Sequence, residues 1–249
     1  MSVKKHIPNF ITLLNLASGL IALVFAFNEH FFYAFLWVCI GVFFDFWDGF
    51  FARILKVKSA IGLQLDSLAD MVTSGVVPGL VMYQLLTHIS ENYVENFEMS
   101  VSMQYFYIWV LPYTGFIITL ASCYRLAKFN VDSRQTDSFI GLPTPANALF
   151  IMSLPLISAD SEGMLFSLLS NPYVLIGITL LSAFMLNAEI PLFSLKVKYF
   201  NWEKNKIQFI FLIISILLLF IFQFVAIPLI ILMYVLLSVI NNKTSVRQQ

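Results

Sequence analysis

Eight apolar runs of near-membrane length, joined by short polar segments, restrict this chain more than any other feature. They can be drawn at 10–27, 31–51, 64–86, 105–127, 143–159, 172–190, 207–223 and 224–240, taking roughly 20 residues per helical crossing. The fifth and the last are short, and the break inside 207–240 is expected near Gln223 or Pro228. The expected fold class is therefore all-α, a polytopic membrane helix bundle of about eight transmembrane helices. Composition agrees: 59% of residues are hydrophobic and 11% charged, where a water-soluble chain carries about 25% charged residues.

Net charge is zero, but its distribution is one-sided. If the N-terminus lies inside, the inner segments hold all 14 lysines and arginines, among them Arg53, Arg125, Lys128, Arg134 and the Lys196–Lys206 group. The outer loops then hold Glu29, Glu91, Glu95, Glu98, Asp160 and Glu162 with no base. That asymmetry is what the positive-inside rule produces for an even number of crossings. Both termini are expected in the cytoplasm, in the cytoplasmic (inner) membrane, and no nucleic-acid partner is expected. Residues 87–104 read as the longest outer loop, a surface segment without chemistry.

Cys39 and Cys123 fall inside apolar runs and read as small buried hydrophobes, not as a disulfide framework. His6, His30 and His88 sit near span boundaries and read as interfacial residues. The first apolar run lacks a small-residue cleavage site, so a cleaved signal peptide is not expected.

Against this background the stretch 45–70, DFWDGFFARILKVKSAIGLQLDSLAD, stands out, because it holds four acids within or beside apolar runs. A charge at mid-membrane costs about 2.5–3.5 kcal/mol on the lenient scale, so a partner is required. Asp45 and Asp48 are three residues apart and Asp66 and Asp70 four apart, so each pair shares a helix face. Two such faces brought together offer up to eight carboxylate oxygens, a set that suits Mg²⁺ or Mn²⁺ better than zinc. Taken singly, each aspartate also has a plain reading as a structural hydrogen-bonder or helix-end residue.

Gly49 follows Asp48, and Gly62 lies one turn before Asp66. A helical glycine gives up roughly 1 kcal/mol relative to alanine, and the usual return is close approach of a neighbour or ligand. Arg53 adds a fixed cation of the kind that grips phosphate oxygens at two points. Carboxylate-held metal, small residues and one arginine together point to a diphosphate substrate. In the first run, Asn9, Thr12 and Asn15 recur every three residues as a polar stripe. That stripe reads either as interhelical hydrogen bonding or as a wall of the substrate pocket.

The spacing Asp45-x2-Asp48-Gly49-x2-Ala52-Arg53-x8-Gly62-x3-Asp66-x3-Asp70 resembles the signature of the CDP-alcohol phosphotransferases at every defined position. The segments IPNFITLLNL and RLAKFN…RQ…GLPTPANA look like the phosphatidylserine synthase branch of that family, the membrane-integral type. The likeness covers residues 7–148; Lys128 stands where arginine is expected from this branch. The resemblance implies a six-helix catalytic core over 1–190, with two further helices and a tail over 191–249. It implies transfer of a phosphatidyl group from CDP-diacylglycerol to the hydroxyl of L-serine, releasing CMP, with membrane lipids as surroundings and a homodimer as the assembly.

By the same resemblance, Asp45, Asp48, Asp66 and Asp70 bind one or two divalent ions and Asp70 is the general base. Asp48, Gly49, Ala52, Arg53, Gly62 and Asp66 hold the CDP diphosphate, with Asn9 and Thr12 near the nucleotide. Asn15, Arg125, Lys128, Asn130 and Arg134 are candidates for the serine carboxylate or the lipid phosphate. Three alternatives stay open: the same chemistry on glycerol phosphate or inositol phosphate, an ion-coupled transporter using intramembrane aspartates, and a prenyl-type diphosphate enzyme. The last leaves the fixed Gly and Arg positions unexplained.

Overall fold

The computed structural model describes residues 6–57, 59–132, 139–160, 163–192 and 205–246. Eight long helices run through them: α1 (His6–Phe27), α2 (Phe31–Ile54), α3 (Ala60–Asn96), α4 (Val101–Val131), α5 (Thr144–Asp160), α6 (Pro172–Asn187), α7 (Lys206–Phe222) and α8 (Ala226–Val246). A short helix, Met164–Leu169, links α5 to α6. The two-residue strands β1 (Phe139–Ile140) and β2 (Pro191–Leu192) pair antiparallel and are the one sheet among the described residues.

The bundle reverses the usual arrangement of a soluble helix. On α1 the buried positions are Pro8, Thr12, Asn15, Ser18, Gly19, Ala22 and Ala26, which are polar or small and recur at helical spacing. Phe10, Leu13, Leu20, Val24 and Phe27 point outward. In hydrocarbon an exposed Leu or Phe is at no disadvantage, and helices associate through small residues and hydrogen bonds. The same logic places Ala34, Val38 and Gly41 of α2 inward. Helix α5 is buried nearly all round, from Thr144 to Ile157, and serves as the central pillar.

Helix α3 is not uniform. Directly after Asp70 the residues Met71–Val76 form a π-helical turn, in which Val77 N–H bonds the carbonyl of Val72. α3 also runs further than expected. Residues 87–96 are helical, so the outer joint between α3 and α4 shrinks to 97–100. Aromatic packing accounts for the extension: the Tyr93 ring lies on Tyr107 with centroids 5.3 Å apart, and the Tyr107 and Tyr173 hydroxyls are 2.5 Å apart. That the segment is polar overall hid an apolar side formed by Ile89, Tyr93 and Val94, which pack on the core.

The 207–240 run breaks at Gln223, within the expected zone. Gln223 takes a left-handed φ of 47°, and the ring centroids of Phe211 and Tyr234 are 5.7 Å apart. In a continuous helix, 23 residues would separate them by about 34 Å, so α7 and α8 form an antiparallel hairpin. It is seated by Phe224, which packs edge-on against Phe35 of α2, and by a small core of Leu142, Leu192, Phe211 and Tyr234. The lysines Lys196, Lys198 and Lys204, which entered the charge argument, lie outside the described residues.

Where α4 crosses α3, Leu111–Phe116 tightens into a 3₁₀ turn holding Pro112 and Gly115. A Cβ on Gly115 would sit 2.6 Å from the backbone nitrogen of Tyr83. Gly177 of α6 has nothing within 4 Å of such an atom. Gly115→Ala is therefore expected to destabilise the protein by ~1–3 kcal/mol, whereas Gly177→Ala should be neutral or stabilising by up to ~1 kcal/mol. Thermal unfolding of the two variants in detergent checks the contrast.

Candidate active site

Helices α2 and α3 bring together the two carboxylate pairs, as their spacing requires. One oxygen from each of Asp45, Asp48 and Asp66 lies within 4.8 Å of the others. Asp48 is buried, and Asp45 and Asp66 are half-buried. Asp70 stands one turn beyond Asp66, outside this triplet, and is also buried. It remains within electrostatic range of Asp45, Asp48 and Asp66, and of Arg125 on α4.

The polar stripe of α1 meets both pairs. Thr12 Oγ1 donates to Asp48 Oδ2 at 2.5 Å, and Asn15 Nδ2 donates to Asp70 Oδ1 at 3.0 Å. Asn9 faces a cavity and does not reach a carboxylate in this way. The stripe thus makes interhelical hydrogen bonds and also lines the cavity.

That cavity, of about 530 Å³, is lined by Pro8, Asn9 and Thr12 of α1, Asp48, Gly49 and Ala52 of α2, and Ala60, Gly62, Leu63 and Asp66 of α3, with Val57 and Ser59 from the joint between them. Its size is that of a small-ligand site. The two glycines act differently. A Cβ on Gly49 would meet nothing within 4 Å, so this glycine faces open space, while one on Gly62 would lie 3.0 Å from Asn9 Oδ1 and 2.8 Å from Ser59 Oγ. Gly62 makes room for a neighbour, and Gly49 leaves open space in the cavity.

The joint that closes the cavity is built locally. Lys56 adopts a left-handed φ of 52° to end α2, a conformation that costs a non-glycine residue roughly 1–2 kcal/mol. Ser59 then caps α3 by accepting from Gly62 N–H at 2.9 Å.

The basic candidates separate clearly. Arg53 is exposed at the end of α2 and does not line the cavity. Lys128 pairs with Glu189 at 2.8 Å, and Asn130 Nδ2 donates to Ser67 Oγ at 2.9 Å. Arg125 is 7% exposed, and its Nε and Nη2 have no hydrogen-bond partner. Arg134 lies outside the described residues.

Sequence reasoning missed the walls made by Pro8, Val57, Ser59, Ala60 and Leu63, which carry no chemical signature. It also missed Thr73, whose hydroxyl donates to Asn15 Oδ1 at 2.9 Å. The small polar run Thr73-Ser74-Gly75 just past the last aspartate was the only available signal.

The triplet has the chemistry of a divalent-cation site. Its donors are all carboxylate oxygens, the choice of hard ions, and Asp66 Oδ1 is buried with no hydrogen-bond partner. Like charges this close repel strongly where water is scarce, and a cation would relieve that repulsion.

Fold and site together define a polytopic membrane protein with a carboxylate cradle beside a ligand-sized cavity. The chain belongs to the CDP-alcohol phosphatidyltransferase family, whose sequence profile matches residues 5–171. It is 31% identical over 154 residues to a CDP-diacylglycerol--serine O-phosphatidyltransferase of Bacillus subtilis, covering 60% of this chain and 75% of that one. A protein of the same name from Helicobacter pylori is 29% identical over 197 residues, 77% of this chain and 74% of the relative. An archaetidylserine synthase of Methanothermobacter thermautotrophicus is 28% identical over 177 residues, 70% of this chain and 66% of the relative.

Asp66→Asn is expected to raise the melting temperature of cation-free protein, because one of three crowded charges is removed. It should also abolish the stabilisation that wild type gains from added Mg²⁺ or Mn²⁺. Melting curves with and without a chelator read both effects.

Proposed function

We propose that this protein transfers the phosphatidyl group of CDP-diacylglycerol to the hydroxyl of L-serine, giving phosphatidylserine and CMP. The observation that carries the reading is the convergence of Asp48 and Asp66 on a cavity floored by Gly49, Ala52 and Gly62, with Asp45 completing the triplet. The family membership and the relatives named as CDP-diacylglycerol--serine O-phosphatidyltransferases support the same choice.

In this reading the serine Oγ–P bond forms as the bond from that phosphorus to the CMP oxygen breaks, and the serine proton passes to Asp70. Serine's hydroxyl is a poor nucleophile at neutral pH, so a carboxylate within hydrogen-bond reach has to accept that proton. Asn15 holds Asp70 in place through its 3.0 Å hydrogen bond. Thr12 does the same for Asp48. One or two Mg²⁺ or Mn²⁺ ions held by Asp45, Asp48 and Asp66, with Asp70 at the edge of the set, would supply Lewis-acid polarisation of the diphosphate. Asn9 and the Gly49 surface bound the nucleotide; Arg53, exposed at the end of α2 and outside the cavity lining, would meet the diphosphate only where the ligand extends beyond the cavity.

Arg125 is assigned to the serine carboxylate. Lys128 and Asn130 are already engaged by Glu189 and Ser67. Arg125 retains two buried unpartnered nitrogens, Nε and Nη2, whose N–H groups suit a planar carboxylate. Among the described residues it is the one buried base, which favours an acceptor with a single negative charge over glycerol phosphate or inositol phosphate. The reading also places the site at the cytoplasmic face of the inner membrane. It takes 1–190 as the catalytic core, 191–249 as two added helices and a tail, and a homodimer as the working assembly.

Purified protein supplied with CDP-diacylglycerol and Mn²⁺ is expected to release CMP when serine is added, and not with glycerol phosphate or inositol phosphate. Arg125→Lys, which loses two-point contact, should raise the KM for serine by about tenfold or more, the size of a lost charge-assisted hydrogen bond. CMP release with another acceptor only, or an unchanged serine KM in Arg125→Lys, would reject these assignments.

A further inference from the structure

A general base works only while its oxygen is aimed at the proton it accepts, so the residues that hold Asp70 bear on the rate. Asn15 donates from Nδ2 to Asp70 Oδ1 at 3.0 Å. An ionised carboxylate only accepts, so the Asn15 amide must present its NH₂ to Asp70 and its oxygen in the opposite direction. There the oxygen receives the Thr73 hydroxyl at 2.9 Å. The same hydroxyl lies 3.2 Å from the Asn15 main-chain oxygen. Asn15 and Thr73 are fully buried, and Asp70 is 8% exposed.

The seat for Thr73 is built by three elements. Thr73 lies in the π-helical turn that begins directly after Asp70, a local form that occurs often at functional sites. Its side chain packs over Gly41 of α2, where a Cβ would lie 2.6 Å from Thr73 Cγ2 and 3.0 Å from Asn15 Oδ1. Over Gly19 of α1 an added Cβ would overlap Thr73 Oγ1. Two mid-helix glycines, each a concession of roughly 1 kcal/mol in helix propensity, thus keep space for one threonine. Several hydroxyls of the bundle bond their own helix's carbonyl four residues back, as Ser18 bonds Leu14 and Thr87 bonds Tyr83. Thr73 instead reaches across to α1.

We infer that Thr73 is a positioning residue for the transfer reaction. Its hydroxyl fixes the orientation of the Asn15 amide, which holds one Asp70 oxygen and leaves the other for the acceptor hydroxyl. The inference rests on the assignment of Asp70 as the base.

Three variants, assayed in detergent with CDP-diacylglycerol, Mn²⁺ and serine, test it. Thr73→Val keeps the shape and loses the donor; it is expected to lower kcat about tenfold, part of the 10²–10⁴ that a positioned base contributes. Its KM for CDP-diacylglycerol and its thermal stabilisation by Mn²⁺ should stay within about twofold of wild type, since the carboxylate triplet is untouched. Thr73→Ser restores the donor without the methyl and should recover kcat to within about twofold. Thr73→Cys, a weak donor in similar space, should follow the valine variant and replaces it if that protein does not fold. A wild-type kcat in Thr73→Val or Thr73→Cys, or a Thr73→Ser variant as slow as either, would overturn the inference. Wild type separates this from the reading beneath it: silence of wild type with every acceptor overturns the assigned chemistry, whereas an active wild type with an unaffected valine variant overturns the role of Thr73 alone.

Discussion

Crowding of carboxylates where water is scarce is the constraint from which the rest of this structure follows. Asp45, Asp48 and Asp66 hold oxygens within 4.8 Å of one another, and Asp70 stands close behind. In an apolar surrounding such an arrangement survives only with compensation. α1 supplies part of it: Thr12 and Asn15 project one turn apart and hydrogen-bond to one aspartate of each pair. The remainder calls for positive charge, and the orphaned Asp66 Oδ1 is left without a protein partner. The site is thus costly to the fold, which is the usual relation between stability and activity.

The bundle absorbs that cost by an inside-out design. Small and polar residues of α1 and α2 pack inward, and phenylalanines and leucines face outward. Close helix approach at Gly19, Gly41, Gly79 and Gly115 works alongside the buried apolar clusters, because lipid already satisfies apolar surface and packing and hydrogen bonds bind helices together. The same close approach lets α1 side chains reach carboxylates on α2 and α3. Packing and chemistry therefore use one interface, and the buried pillar α5 supports it from behind.

Beyond the family-matched region, the α7–α8 hairpin joins the bundle through Phe224 against Phe35 and through the cluster at Leu142, Leu192, Phe211 and Tyr234. Leu142 belongs to the Gly-Leu-Pro-Thr-Pro segment, where Gly141 takes a φ of 76° and its N–H bonds Ile190 O. A Cβ there would lie 2.6 Å from Leu186 O. That glycine holds the loop after α4 against the end of α6, next to the Lys128–Glu189 ion pair. The hairpin consequently rests on the loop that follows the helix carrying Arg125.

The sequence alone determined the helical class, the helix order and the two carboxylate faces, because a hydrocarbon solvent demands apolar runs of set length and a helix makes spacings of three and four residues share a side. It also marked the stripe Asn9, Thr12 and Asn15, since a polar residue every third position on an apolar helix needs a reason. The extension of α3 past Thr87 escaped it, because the Tyr93–Tyr107 stacking that stabilises those turns is a contact between distant residues. The partners of the stripe were equally beyond its reach. Only the tertiary structure decided that Asn15 hydrogen-bonds Asp70, that Lys128 pairs with Glu189 while Arg125 Nε and Nη2 have no hydrogen-bond partner, and that Thr73 bonds Asn15. Those outcomes depend on how helices rotate and approach one another, and periodicity along a single helix carries no information about its neighbour's phase.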